Sequence, residues 1–443
     1  MGKARVEEWI NQMDCLPSEA LTQGNIERIA GGIARFYGFE RFSPAPLEGV
    51  WSFAPLVRAG LMESQPPIAC KTRNGEEFML SPSGALGAVR AYFSHRMQSL
   101  PHPVKLFYAS RSFFVGKRPE ADADGNRVAS RSEWGLMELG EESPIAETEI
   151  VQVLCKTLAE VGLDGNAMDL RLNAVGCGRC GSLFRSSLSA YFRSRLGRLC
   201  PESKRDLRRA PTRILSCPEE RCQQAAGSAP QVLDFLCERC KKQLRGLLEF
   251  LDEARVPYFL DTRLFAEGLW FTETVFEVRL DRTAAAPAAA DAGAAASLAG
   301  DKIPVALGGR LSHAAGLLGG KELQVASGVL LLDAVREAIR KKQGEIEEIE
   351  VFFVQLGELA KRKSFEILEA LREGGIEAKE SLGRDSIKVQ LKIAERLGAR
   401  FALILGQKEA LDRTVIVREA ESGIQETVPQ DKLIEFLKKK LKK

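Results

Sequence analysis

Histidine is nearly absent: His95, His102 and His313 are the only three in 443 residues. They stand far apart, and none sits in a nucleophile–base pattern with a serine and a carboxylate, so all three read as ordinary residues. Net charge is also nearly absent, at +3. That excludes nucleic-acid binding by overall charge and leaves local basic clusters as the remaining route. No apolar run reaches the roughly 18 residues that a membrane-spanning helix needs. The start, Met1–Glu8, has no apolar leader segment. The expectation is a cytoplasmic protein with no membrane partner. Hydrophobic residues at 45% and charged residues at 28% exclude a disordered chain, a collagen and a coiled-coil rod.

What is present is cysteine. Ten cysteines in a chain expected to stay in a reducing compartment point to metal or free thiols rather than disulfides. Cys177-Gly178-Arg179-Cys180 and Cys237-Glu238-Arg239-Cys240 are two C-x-x-C knuckles. Each presents two thiolates, and two knuckles close a tetrahedral structural zinc site. Pairing one knuckle with Cys217 and Cys222 is the other arrangement, and reduced thiols without metal are the third. Cys200 also lies between the knuckles, while Cys15, Cys70 and Cys155 are isolated and read as buried apolar residues. The same segment is basic, with Arg193, Arg195, Arg198, Lys204, Arg205, Arg208, Arg209 and Arg213 against Glu202 and Asp206. Such a segment suits the phosphates of an RNA backbone. A solvated helix face is the alternative.

Periodicity supplies the organisation. Ile26, Ile29, Ile33 and Phe36 recur at helical spacing up to Tyr37-Gly38, and a further helix is expected over 145–163. Strands are expected near 76–80, 105–108 and 274–280. Residues 115–132 are polar, with a loop tip over 121–126, and the alanine-rich stretch 284–300 reads as a disordered loop between strands. Basic residues from Arg340 mark a linker. Beyond it, strands near 349–356, 376–380 and 401–405 alternate with helices near 363–374 and 386–397. That pattern is an α/β domain with a mostly parallel sheet. The division expected is 1–174, a cysteine-rich basic insertion at 175–245, 246–342, and a last domain at 347–443.

The last domain carries a family resemblance. The run Gly383-Arg384-Asp385-Ser386-Ile387-Lys388-Val389-Gln390-Leu391-Lys392, followed by Ala394–Gly406, closely resembles the anticodon-binding domain of histidyl-tRNA synthetases, over essentially all of 349–440. Earlier segments follow the same family's order. Met13-Asp14-Cys15-Leu16-Pro17 is similar to its opening D-x-L-P. Tyr37-Gly38-Phe39 with Pro46-Leu47-Glu48 resembles the class II motif that builds the dimer interface. Leu106–Gly140 stands in the place of motif 2, and Phe271–Glu277 resembles the strand after the histidine-specific loop. Gly308-Gly309-Arg310 with a helix around 328–340 stands in the place of motif 3. The resemblance covers nearly the whole chain. It implies an α/β protein: an α+β catalytic-like domain with the antiparallel sheet of class II synthetases, a cysteine-rich insertion, and a C-terminal α/β anticodon-binding domain. It further implies a homodimer and tRNA as partner, tRNA-His first, not DNA. Some bacterial members look similar in the cysteine-rich segment but carry an eighth cysteine where this chain has Ser203, so a second four-thiolate site would be incomplete.

Joining an amino acid carboxylate to ATP needs cations on the phosphates and a held carboxylate. The family's pattern departs at five places here. Its R-P-E-G-T reads Ser81-Pro82-Ser83-Gly84-Ala85. Its F-R-x-E reads Phe113-Phe114-Val115-Gly116, and Arg111, at an odd offset from Phe114, would face the other side of the strand. The glutamine and glutamate that face the imidazole are Glu133 and Met137, with Glu138 one residue off. Its R-G-L-D-Y-Y begins at Ala266 and ends Trp270-Phe271. The arginine of G-x-E-R is Ala334, and Arg336 lies roughly 200° around the helix. The resemblance with these losses implies a pseudo-synthetase that binds tRNA, without ATP and without histidyl-adenylate. Two alternatives remain. One is an active histidine–tRNA ligase. The other is a regulatory protein acting on a partner enzyme, like the synthetase-like subunit of ATP phosphoribosyltransferase, although that subunit lacks an anticodon domain. The apolar replacements Phe114, Met137, Trp270 and Phe271 also offer walls for a different ligand. In the last domain, Gln355, Arg384, Lys388 and Arg400 are the candidates for RNA contacts.

Overall fold

A computed structural model describes residues 13–62, 66–117, 126–163, 168–208, 210–265, 270–281, 302–343 and 349–441. The chain divides into two compact units, Met1–Lys342 and Gln343–Lys443. The first unit's strands are β1 (Glu40–Arg41), β2 (Leu47–Gly49), β3 (Ala69–Lys71), β4 (Glu77–Leu80), β5 (Val104–Lys117), β6 (Asn126–Leu139), β7 (Asp169–Gly176), β8 (Phe259–Leu260), β9 (Thr272–Asp281), β10 (Lys302–Arg310) and β11 (Val325–Leu331). Eight of them form one sheet in the order β1-β5-β6-β11-β10-β9-β7-β8, antiparallel except at its two edges, and β2-β4-β3 form a small second sheet. Its helices are α1 (Pro17–Phe36), α2 (Val50–Arg58), α3 (Gly84–Ser94), α4 (Ile145–Glu160), α5 (Gly178–Arg193), α6 (Pro201–Asp206), α7 (Glu220–Ala226), α8 (Glu238–Glu253), α9 (Ser312–Gly319) and α10 (Leu332–Gln343).

Strand alternation decides which residues meet. On one face of the large sheet, α1 and α4 bury Phe107, Trp134 and Phe276. That approach is tight: a Cβ on Gly328 would come 2.5 Å from Ile150 of α4. The other face carries Tyr108, Ser110, Ser112 and Phe114 of β5 opposite Gly135, Glu133, Arg131 and Ala129 of β6. The amino end of α3 lies on this second face, where a Cβ on Gly84 would come 2.3 Å from the Tyr108 ring.

Three local readings are corrected. Phe36 is 85% exposed rather than packed with Ile26. Residues 126–132 are not loop: β5 and β6 stay paired out to Lys117 opposite Asn126, because their serines alternate along pleated strands. Residues 328–331 complete β11, and α10 starts only at Leu332. The loop tip at 121–125, the stretch 284–300 and Ala266 lie outside the described residues.

Between β7 and β8, α5–α8 enclose a separate small core of Phe184, Leu188, Phe192, Leu199, Ile214 and Val232 together with four cysteines. The second unit has strands β12 (Val351–Gln355), β13 (Ala378–Glu380), β14 (Phe401–Leu405), β15 (Thr414–Glu419) and β16 (Gln425–Pro429), with helices α11 (Glu358–Glu373), α12 (Ile387–Arg396), α13 (Gln407–Asp412) and α14 (Leu433–Leu441). Its sheet order is β13-β12-β14-β15-β16. It is mixed rather than mostly parallel: β13, β12 and β14 run parallel, and β15 and β16 add an antiparallel edge. Among the described residues, no helix is long and apolar enough to cross a membrane.

Candidate functional site

The sequence points to the second face of the large sheet. Glu133 is 1% exposed and dominates its centre. Its Oε1 accepts from the Gly84 backbone N–H at 2.9 Å and from the Ser110 hydroxyl at 3.2 Å, while Arg131 Nε stands 3.4 Å from Oε2. A carboxylate at the amino end of α3 is favoured by the helix dipole. Ser83, buried, caps that helix by accepting from Leu86 N–H at 3.5 Å, and Ser81 is buried beside it. Glu133, Ser81, Ser83 and the amino end of α3 thus meet on this face.

Phe114 and Met137 are fully buried on the same face, so neither lines an opening. The cation missed by sequence reasoning is Arg131. Its guanidinium lies 5.7 Å from the centre of the Phe114 ring, diagonally across the hairpin. The only signal was the alternating Arg131-x-Glu133 spacing, and it names a shared face without naming the neighbour. Arg111 is on the opposite face, where it donates to Met13 O and, at 3.2 Å, to Ser132 Oγ. Glu138 is also on that opposite face, 3.7 Å from Lys105, and burial pushes its carboxyl up to about 7. Ala334 is buried in α10. Arg336 does not substitute for it, since it pairs with Asp333 at 2.6 Å and reaches Cys15 Sγ at 2.7 Å. Arg310 is fully buried against Glu147 of α4, with Nη2 to Oε2 at 2.7 Å, and serves the core. A cavity of about 380 Å³ opens nearby, lined by Cys177, Arg239, Thr272, Glu273, Ser312 and His313, not by the apolar replacements.

The two C-x-x-C knuckles meet each other. All four thiols of Cys177, Cys180, Cys237 and Cys240 lie within 4.8 Å of one another, with Cys177 Sγ to Cys180 Sγ at 3.6 Å. Tetrahedral thiolates at about 2.3 Å from zinc would stand about 3.8 Å apart. Backbone N–H groups of Cys177 and Cys237 donate to the sulfurs of Cys240 and Cys180 at 3.3 and 3.1 Å, the support that thiolate ligands need. The Cys240 backbone N–H helps to pull the Cys237 thiol down to about 7, whereas burial pushes Cys180 and Cys240 up. The residues therefore fit a structural zinc ion. Cys217 and Cys222 join neither knuckle; they converge on Cys200 instead. Of the basic residues here, Arg193, Arg198, Lys204, Arg205 and Arg208 are exposed, Arg195 stacks on Tyr191, and Arg209 lies outside the described residues.

In the second unit the chain leaves β12 for β13 on one side and returns to β14 on the other. The carboxyl ends of β12 and β14 thus form a switch-point crevice. Gly357, at φ +88°, and Gln407 stand on its rim; a Cβ at Gly357 would come 2.8 Å from Gln407 Nε2. Arg384 and Lys388 are exposed at this end. Gln355 is corrected: it is fully buried, and its amide donates to Leu382 O at 3.2 Å and Arg384 O at 2.9 Å. It shapes the turn that presents Arg384 and cannot reach an RNA itself. Arg400 is exposed but precedes β14, roughly 15 Å along the strand from the crevice.

The family described as anticodon binding domain matches residues 350–440. Histidine–tRNA ligase of Desulforamulus reducens is 30% identical over 435 residues, covering 96% of this chain and 97% of that one. The ligase of Pelotomaculum thermopropionicum is 30% identical over 434 residues, covering 97% and 96%. Among solved structures, apo histidyl-tRNA synthetase of S. aureus superposes with a TM-score of 0.69 at 24% identity, over 96% of this chain and 98% of that one. The fold is that of a class II aminoacyl-tRNA synthetase core followed by an anticodon-binding domain. Sequence identity sustained across nearly the whole length narrows the class: the chain belongs to the histidyl-tRNA synthetase family.

Proposed function

We propose that the chain is a tRNA-binding pseudo-synthetase: a cytoplasmic homodimer that binds tRNA, tRNA-His first, through residues 349–440 and forms no histidyl-adenylate. The observation that carries this reading is the charge state of the catalytic face. Among the arginines of that face whose side chains are described, three have carboxylate partners: Arg131 has Glu133, Arg171 has Asp169 and Asp261, and Arg279 has Glu277. A triphosphate requires unpaired, preorganised cations, and a buried carboxylate at Glu133 repels it. The second unit by contrast keeps an exposed crevice with Arg384 and Lys388 and matches the anticodon-binding family.

Zinc on Cys177, Cys180, Cys237 and Cys240 supplies a structural crosslink in this reading. The exposed cations of the same segment supply contacts to the RNA backbone. Exposed Phe36, Leu47 and Trp51, beside the segment resembling the dimer motif, support a second copy of the chain there.

Histidine-dependent ATP–pyrophosphate exchange, with a tRNA-His gel shift on the same preparation, tests the reading. Tight tRNA binding without exchange is the expected result. Exchange at ordinary synthetase rates would refute it and establish the active ligase. In that case Arg131, diagonal to Phe114, is the substitute cation, and Arg131→Ala abolishes the exchange.

A further inference from the structure

We propose that Cys200, Cys217 and Cys222, with the hydroxyl of Ser203, form a second and separate metal site, one that holds a thiophilic divalent cation through three thiolates and keeps an exchangeable fourth position. This goes beyond the tRNA-binding reading and does not depend on it. The three sulfurs lie within 4.8 Å of one another, and Cys200 Sγ is 3.8 Å from Cys217 Sγ. That separation excludes a disulfide, whose sulfurs stand about 2.05 Å apart. It matches the roughly 3.8 Å between thiolates that share a tetrahedral zinc ion. Ser203 Oγ stands 3.2 Å from Cys200 Sγ and 3.4 Å from Cys222 Sγ, at the remaining corner. Cys200, Ser203 and Cys222 are all buried.

The backbone repeats the geometry of the two C-x-x-C knuckles. Cys200 enters α6 at φ −70°, ψ 163°, just as Cys177 enters α5 at −69°, 174° and Cys237 enters α8 at −72°, 167°. The N–H of Ser203 donates to Cys200 Sγ and the N–H of Cys200 to Cys222 Sγ, both at 3.2 Å. Residues 200–203 are therefore a third knuckle whose second ligand is a hydroxyl. The surroundings favour a crosslink. The helices that carry Ser203 and Cys222, α6 and α7, are 6 and 7 residues long, too short to be stable by themselves. They share a small core, and small cores of this kind commonly rely on metal or disulfide staples. Three thiolates leave a divalent ion with less compensating charge than four. The neutral hydroxyl is also the ligand most readily displaced by water or a chelating thiol.

The test uses the full-length protein purified under reducing conditions. Metal content is measured by mass spectrometry, and release to a colorimetric chelator is followed in time. The expected result is two zinc ions per chain, released in a fast and a slow phase. Cys217→Ser removes the fast phase alone. Ser203→Cys keeps both ions, slows the fast phase about tenfold or more, and brings the cobalt-substituted spectrum of that site to four-thiolate intensity. The Ser203→Cys arm adds a ligand, so it stays decisive if Cys217→Ser fails to fold. One ion per chain in the unsubstituted protein, or two ions with release unaltered by Ser203→Cys, would overturn the proposal.

Discussion

Glu133→Gln removes the charge at the centre of the second face of the large sheet while keeping the side chain's shape. Glu133 is 1% exposed and Arg131 6%, so the substitution leaves Arg131 buried beside an uncharged amide. Breaking a buried ion pair from one side costs about 3–5 kcal/mol. The Nε to Oε2 separation of 3.4 Å is long for a charge-assisted bond. That puts the expectation at the lower end, about 3 kcal/mol. The bonds from Gly84 N–H and Ser110 survive to an amide oxygen in weakened form and are contained in that figure. Adding Arg131→Met removes the second charge, so the double variant should recover about 2 kcal/mol of the loss relative to additivity. Urea unfolding followed by tryptophan fluorescence is the assay, because Trp134 is buried next to Glu133 in the chain. A Glu133→Gln variant within 1 kcal/mol of the parent, or a double variant whose loss equals the sum of the singles, would refute the buried ion pair. The same variant leaves Arg131 unpaired; under the pseudo-synthetase reading, exchange remains absent even then, since one cation does not replace the rest.

Four further outcomes follow from the same geometry. Burial raises the Glu138 carboxyl from 4.5 to about 7, so the fold favours its protonated form. That contribution is complete below pH 4.5 and is lost as pH rises through 7; the stability of Glu138→Gln relative to the parent should therefore improve by about 3 kcal/mol between pH 4 and pH 8.5, and a flat difference would show that the burial penalty is absent. Removing zinc with a strong chelator should raise hydrogen exchange across 178–250 and leave 350–440 protected; uniform protection would mean that no metal holds the segment. Arg384→Ala and Lys388→Ala should each weaken tRNA binding several-fold and lower the salt dependence by about one charge, with Arg400→Ala unchanged, as read by titrations at several salt concentrations. Gln355→Ala should instead destabilise the second unit by about 1–3 kcal/mol in thermal melts, because it removes the donor to Leu382 O and leaves Arg384 O with the Gln390 amide alone.

What sequence made legible, and what it left hidden, divides along the range of the interactions. The alternating strands and helices of residues 350–440 follow from local periodicity, which burial imposes directly. The meeting of the two C-x-x-C knuckles was legible because each knuckle is itself a local motif. The apolar residues Phe114, Met137 and Ala334 were visible position by position, yet their surroundings were not. Arg131 meets Phe114 only through the β5–β6 register, and register depends on the paired strands rather than on spacing within either. Gln355 misled for a related reason: glutamine at a strand end is usually exposed, but here its neighbour Gln390 and the turn at Leu382 turn it inward. Ser203 is the sharpest case. Counted as a residue type, it is a missing cysteine and an incomplete site. Placed by the fold, it is a hydroxyl at the fourth corner of three converging thiols, held by the same N–H to sulfur pattern as its four-cysteine neighbour. A missing ligand and a changed ligand look identical in one dimension; only the backbone around Cys200, which keeps the knuckle geometry, separates them.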